Sequence, residues 1–181
     1  MYTDVIMAGF GGQGIMLIGD ILAYAAMFEG KRVTYMPTYG VEMRGGTANC
    51  TIMVSDEEIG SPMTGHPHAV IVMNGPSLSK FQPRVRLGGF MLVNTSLVDA
   101  AQVNRTDIDV LLLPANQIAQ EMGNDKIANM VALGGYVERT QVVSMESITK
   151  SLPKAIAERY HKTLPLNTKA IETGARLARK G

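Results

Sequence analysis

Hydrophobic positions along this chain fall into two kinds of segment: short unbroken apolar runs, and longer stretches in which apolar residues recur at helical spacing. That alternation is the signature of strands buried on both faces and interleaved with helices. Val5 to Ala8 is the first run, and it ends on Gly9. After the turn Gly9-Phe10-Gly11-Gly12-Gln13-Gly14, a helical stretch continues to about Glu29, where Gly30 stops it. Arg32 to Met36 is β-branched and aromatic enough for a second strand, closed by Pro37, which has no N–H to give to a ladder. Strand, helix and strand make a βαβ unit, which predicts parallel strands, a right-handed crossover and helices on both faces of the sheet.

Thr47 to Val54 reads as a third strand, and the polar turn Ser55 to Glu58 leads to a short return at Ile59, so a hairpin is expected there. Ala69 to Met73, Phe90 to Val93 and Val110 to Leu113 are further apolar runs, and Ser77 to Val85 is a short helix between the first two. From Asn116 onward helix signals take over, at Ile118 to Met122, Ile127 to Val137, Met145 to His161 and Thr168 to Lys180. Ser144 is placed to cap the third of these, with Glu146 near its positive end, and Arg176, Arg179 and Lys180 sit where the last helix favours cations. The expected fold is α/β: a single domain over residues 1–181, with a mostly parallel open sheet of about six strands, helices on both faces and a helical C-terminal part.

Composition narrows the function. Lys and Arg number 17 against 16 Asp and Glu, a net charge of +1, which gives no electrostatic footprint for nucleic acid. The longest apolar stretch, Ile15 to Phe28, carries Asp20 and falls short of the roughly 20 residues that span a bilayer. The start lacks the basic and then apolar order of a secretory signal, so a cytoplasmic protein is expected. Charged residues are only 18% and 13 Met accompany no Trp, a balance suited to a chain that covers part of its surface with a partner. The helix after the glycine turn, apolar on nearly every side, agrees with that. A single cysteine, Cys50, supplies neither a disulfide nor the sets of thiolates that zinc sites and iron-sulfur clusters need, and its place in a strand pattern makes it a small buried residue.

Gly9, Gly11 and Gly14 fit the spacing G-x-G-x-x-G between strand and helix, which brings backbone N–H groups close to a phosphate. Gly12 and Gln13 belong to the same loop. The acidic residue that a dinucleotide site wants at the end of the second strand is missing from Tyr35-Met36-Pro37-Thr38. Two readings stay open: anion binding, or close passage of a neighbouring chain. A second candidate segment, Tyr39-Gly40-Val41-Glu42-Met43-Arg44-Gly45-Gly46, sets an aromatic, a carboxylate and a guanidinium among three glycines. If extended, it points Glu42 and Arg44 to one side, either as an interface ion pair or as a clamp for an anionic group. His66-Pro67-His68 lacks a third ligand nearby, so no metal site is expected there. No catalytic residue is assigned in this chain.

These residues carry a resemblance. The glycine turn at 9–14, the segment Tyr39 to Gly46 followed by Thr47-Ala48-Asn49-Cys50, and then Gly123-Asn124, Asn129-Met130 and Leu133-Gly134 resemble, in order, the gamma subunits of 2-oxoacid:ferredoxin (acceptor) oxidoreductases. The chain is most similar to the members that act on 2-oxoglutarate, with the branched-chain and pyruvate members close behind. The resemblance implies a multi-subunit enzyme that converts a 2-oxoacid and coenzyme A to acyl-CoA, carbon dioxide and reduced ferredoxin. It implies alpha and beta partner subunits, with delta as an option, and ferredoxin or flavodoxin reached through the complex. Thiamine diphosphate, Mg²⁺ and iron-sulfur clusters would belong to that complex, none held by this chain alone. A free-standing nucleotide-binding module and a pure scaffold that contributes only interface area are the alternatives, and a dimer is an option for the isolated chain.

Overall fold

A computed structural model describes residues 1–40 and 47–179. Six strands form one sheet: β1 (Tyr2–Phe10), β2 (Arg32–Tyr39), β3 (Thr47–Ser55), β4 (Ala69–Val72), β5 (Phe90–Asn94) and β6 (Asp109–Leu113), in the order β2-β3-β1-β4-β5-β6. β1, β4, β5 and β6 run parallel, whereas β3 is antiparallel to both β1 and β2. The mostly parallel sheet is therefore as expected, but the first βαβ unit is split. β2 does point the same way as β1, but β3 is inserted between them. The expected hairpin at Ile59 does not form: β3 satisfies both of its edges with β1 and β2, and residues 56–68 cross over to β4 without a strand. Pro37 does not close β2 either, because β2 is the edge of the sheet and a residue that lacks an N–H is tolerated there.

Helix α1 (Ile15–Phe28) lies on one face together with α3 (Ala115–Glu121), α4 (Ala128–Thr140), α5 (Met145–Ala155) and α6 (Leu164–Ala178). Their apolar residues join Val5, Met7, Cys50, Ile52, Ile71 and Leu92 in the larger core. On the opposite face α2 (Gly75–Phe81) covers Ile6, Ala8, Val70, Val72, Met91 and Val93 with Leu78 and Phe81, and Val85 beyond the helix joins them. Helices thus lie on both faces, unequally. The α1 surface is apolar beyond what the sheet buries: α5 covers part of it, and Tyr24, Met27 and Phe28 remain exposed near its end.

The tail is helical as expected, with one difference. The stretch Met145 to His161 is not one helix; α5 ends at Ala155, and a 3-10 segment, Glu158–Thr163, follows after an extended Ile156 and Ala157. Pro153 sits inside α5 and cannot donate to the preceding turn, which weakens the helix where it stops. Ser144 caps α5 by accepting a bond from Ser147 N at 3.1 Å, as its position predicted. α4 and α6 touch backbone to backbone, since a Cβ on Gly134 would collide with the Ile171 carbonyl and one on Gly174 with that of Val131. No described helix is long and apolar enough to cross a membrane.

Candidate functional site

The glycine loop leaves the C-terminal end of β1, where the sheet reverses its order of travel. β1 leads by α1 to one side of the sheet, and β3 leads to β4 on the other. Crevices at such points, outside the carboxyl ends of parallel strands, are where open α/β sheets take their ligands. Gly9 is buried at the strand end, and a Cβ there would meet Gln13 Oε1 at 2.5 Å, Ile15 Cδ1 at 2.9 Å and Met73 Cβ at 3.1 Å. Gln13 folds back over the loop: its Oε1 accepts from Phe10 N at 2.6 Å and its Nε2 donates to Met73 O at 3.3 Å. The left-handed conformations fall at Gly12, φ +95°, and Gly14, φ +71°; Gly11 is exposed and is not among the positive-φ positions.

Gly14 is the N-cap of α1, and no side chain caps that helix. The Gly14 carbonyl accepts from Ile18 N at 3.2 Å and from Asn129 Nδ2 at 3.1 Å, which fastens the loop to the start of α4. Beside the loop lies a cavity of about 190 Å³ lined by Gly12, Gln13, Asn116, Lys126 and Asn129 among others. The uncapped helix end favours an anionic group in this crevice by backbone N–H donation, while its lining carries both Lys126 and Asp125.

Asparagines that sequence reasoning did not single out as site residues close the neighbouring strand ends, and Asn94 reaches the crevice through Asn116. Asn74, at the end of the β4 run, caps α2 by accepting from Ser77 N at 2.9 Å, and its Nδ2 is buried without a partner. Asn94, fully buried at the end of β5, donates to Asn116 Oδ1 at 2.7 Å and accepts from Ala115 N at 3.0 Å. The signal was present: Ile71-Val72-Met73-Asn74 and Met91-Leu92-Val93-Asn94 are two apolar runs each closed by an asparagine. Asn129 was visible only through the family resemblance.

The second candidate segment begins at the same sheet edge. Thr47 pairs with Phe10 across β1 and β3, and Gly40 N donates to Thr47 O at 2.7 Å, so the base of the 41–46 segment adjoins the glycine loop. Tyr39 is 69% exposed at the end of β2. Glu42, Arg44, Gly45 and Gly46 lie outside the described residues.

The insertion of β3 also bears on dinucleotide binding. The strand next to β1 on that side is antiparallel and presents its start, Thr47-Ala48, where a Rossmann fold presents the acidic end of its second strand. The end of β2 is two strands away, about 10 Å by ordinary strand spacing. His68 of the His66-Pro67-His68 stretch is engaged elsewhere: its Nδ1 lies 2.6 Å from Oδ1 of the buried Asp4, and its backbone N donates to the same oxygen. No group of three potential metal ligands occurs among the described residues. Cys50 is fully buried, and burial, with the charge of Asp20 adding to it, pushes its thiol well above the ordinary range.

Comparison with known proteins gives a consistent result. The family model described as pyruvate ferredoxin/flavodoxin oxidoreductase matches residues 4–177. The chain is 35% identical over 176 residues to the ketoisovalerate oxidoreductase subunit VorA of Methanothermobacter marburgensis, covering 97% of this chain and 36% of that protein. It is 33% identical to the 2-oxoglutarate synthase subunit KorC of Methanocaldococcus jannaschii over 88% of each chain. The chain thus spans about a third of the length of its ketoisovalerate relatives and nearly all of KorC. Among solved structures, the gamma subunit of a keto/oxoacid ferredoxin oxidoreductase from Geobacter sulfurreducens superposes with a TM-score of 0.84 at 28% identity, covering 99% of both chains.

Proposed function

Because the chain belongs to the pyruvate ferredoxin/flavodoxin oxidoreductase family, we propose that it is the gamma subunit of a multi-subunit 2-oxoacid:ferredoxin oxidoreductase whose substrate is 2-oxoglutarate. The observation that carries this is coverage. The 2-oxoglutarate synthase subunits KorC are 33% and 31% identical to this chain over 88% and 99% of their own length, and that likeness supports the reading. Residues 1–181 would form one gamma-type domain. Ketoisovalerate and pyruvate relatives support the second reading, a gamma subunit for branched-chain substrates or pyruvate.

In the proposed reaction a 2-oxoacid and coenzyme A give acyl-CoA and carbon dioxide, with two electrons passed to ferredoxin or flavodoxin. Thiamine diphosphate with Mg²⁺ and iron-sulfur clusters supply the carbon and electron chemistry, and we assign them to the partner subunits. One buried cysteine with a raised thiol pKa is no ligand set for a cluster. This chain's part is to bind and to position. Gly9, Gly11, Gly12, Gln13 and Gly14 form the loop that receives coenzyme A or a partner backbone. Tyr39, Glu42, Arg44, Gly45 and Gly46 face the alpha and beta subunits or the entrance to their active site. We assign the assembly to the cytoplasm.

The test is purification of the tagged chain from its native cells followed by mass spectrometry. Stoichiometric alpha and beta subunits are expected, with delta as a further component. Recovery of the chain alone, with free nucleotide bound, would instead favour the independent nucleotide-binding module.

A further inference from the structure

The sheet carries a second polar cavity on the face away from α1. The apolar cover that α2 provides over β1, β4 and β5 stops at β3. Across the register, Thr38 of β2 pairs with Asn49 of β3, and Met36 pairs with Thr51. Asn49 is 9% and Thr51 6% exposed, and neither side chain is hydrogen-bonded to a described residue. Neither is among the buried polar atoms left without a partner, so both side chains reach solvent through the cavity they line. Both line a cavity of about 200 Å³ closed on its other side by Lys80, Phe81 and Arg84.

The charge in this cavity is one-sided. Lys80 and Arg84 both lie against the Phe81 ring, at 5.1 and 5.4 Å from its centroid. Neither forms an ion pair with a described carboxylate, and no described acidic residue lines the cavity. Arg84 spends Nε on Gly65 O at 3.2 Å and one Nη2 hydrogen on Thr64 O at 2.9 Å, which fixes the guanidinium and leaves both Nη1 hydrogens and the second Nη2 hydrogen as donors. The Nε and Nη2 side of the guanidinium is thereby taken, and Arg84 meets an anion only through its Nη1 and Nη2 end. The cavity lining thus offers several donors, the Lys80 ammonium, the Nη1 and Nη2 end of Arg84, the Thr38 and Thr51 hydroxyls and the Asn49 amide. Such a set suits a tetrahedral oxyanion with several acceptor oxygens.

We propose that this cavity is a binding site for a phosphate-class oxyanion, either inorganic phosphate or a short phosphomonoester, distinct from the glycine-loop crevice. A cavity of about 200 Å³ has room for a phosphoryl group. The site does not depend on the oxidoreductase assignment, since every group named belongs to this chain.

The experiment is an NMR titration of the ¹⁵N-labelled full chain with inorganic phosphate at constant ionic strength, with succinate as the carboxylate comparison. Saturable shifts of the Asn49, Thr51 and Phe81 amides are expected with phosphate. Lys80 is on the surface, so Lys80→Gln leaves the fold intact; it should weaken binding about tenfold, and Lys80→Arg should restore most of it. Absence of saturation at these amides would overturn the proposal. So would unchanged affinity in Lys80→Gln, or succinate binding as tightly as phosphate.

Discussion

Asn129 donates its amide to the Gly14 carbonyl at 3.1 Å, and a Cβ on Gly14 would fall on that same amide. Two segments 115 residues apart in sequence therefore fix one another, the loop that starts α1 and the first turn of α4. Asn129 Oδ1 completes the arrangement by accepting from Met130 N at 2.9 Å. The glycine loop is thus held in place by the helical tail and not by its own helix alone.

Gly14→Ala should destabilise the protein by about 2 to 4 kcal/mol, combining the left-handed φ of +71° with displacement of the Asn129 amide. Gly12→Ala, with φ +95° and open space around its Cβ, should cost only about 1 to 2 kcal/mol. Gly11→Ala should cost least of the three. Urea unfolding midpoints check the order, and equal losses at all three would contradict it.

The α4 and α6 contact admits no side chain at its crossing. Gly174→Ala should force the helices apart and cost about 1 to 3 kcal/mol or more, because the obstructing atoms are the Val131 carbonyl, which is backbone. Hydrogen exchange in α6 should accelerate well beyond that in β4. Wild-type protection of α6 in the variant would refute the packing argument.

Glu29 carries a pH dependence. Burial raises its pKa, but bonds from the Ser144 N–H, from the Ser147 and Ser144 hydroxyls and from Lys31 outweigh burial and hold it below the usual carboxylate range. A carboxyl depressed on folding contributes stability above its unfolded pKa and loses it as pH falls through the folded one. Glu29→Gln should therefore cost about 1 to 2 kcal/mol at neutral pH. The loss should shrink in acid, and a loss independent of pH would show that Glu29 acts by packing alone.

Cys50 should resist thiol reagents at neutral pH. Its thiol is fully buried and its pKa is raised, so little thiolate exists to react. Labelling should proceed only as fast as unfolding, and rapid stoichiometric labelling of the folded chain would contradict the burial.

The parts of this fold legible in the sequence are those fixed by local pattern. The runs at Val5, Ala69 and Phe90 became strands because unbroken apolar residues suit a strand covered on both faces, the run at Val110 became an edge strand that leaves Leu112 exposed, and Gly30 ended α1 through a left-handed φ of +74°. The insertion of β3 between β1 and β2 was not legible. Pairing Thr47 with Phe10 and Ala48 with Tyr39 is a long-range choice, and nothing local in Thr47 to Val54 records it. At the site, the glycine spacing was legible, but which glycines need positive φ was not, because that depends on how the loop meets Met73 and Asn129. The asparagines at the crevice were hidden for a related reason: each acts through partners distant in sequence.

Arg44→Ala and Glu42→Ala test the segment after Tyr39. If the pair is buried across a subunit contact, each truncation should weaken association by about 2 to 5 kcal/mol, against about 0 to 1 kcal/mol for a solvated pair. Subunit affinities measured for the two variants decide between these, and unchanged affinity together with unchanged Michaelis constants for the 2-oxoacid and coenzyme A removes both residues from the site.

The measurement that bears most directly on the gamma-subunit assignment is acceptor reduction by the chain alone and by the chain reassembled with its co-purified partners. The purified chain should show no 2-oxoacid-dependent reduction of a low-potential acceptor. The reassembled complex should reduce it with 2-oxoglutarate and coenzyme A faster than with pyruvate or 2-oxoisovalerate. Turnover by the single chain, or a complex whose activity is the same with and without it, would contradict the account.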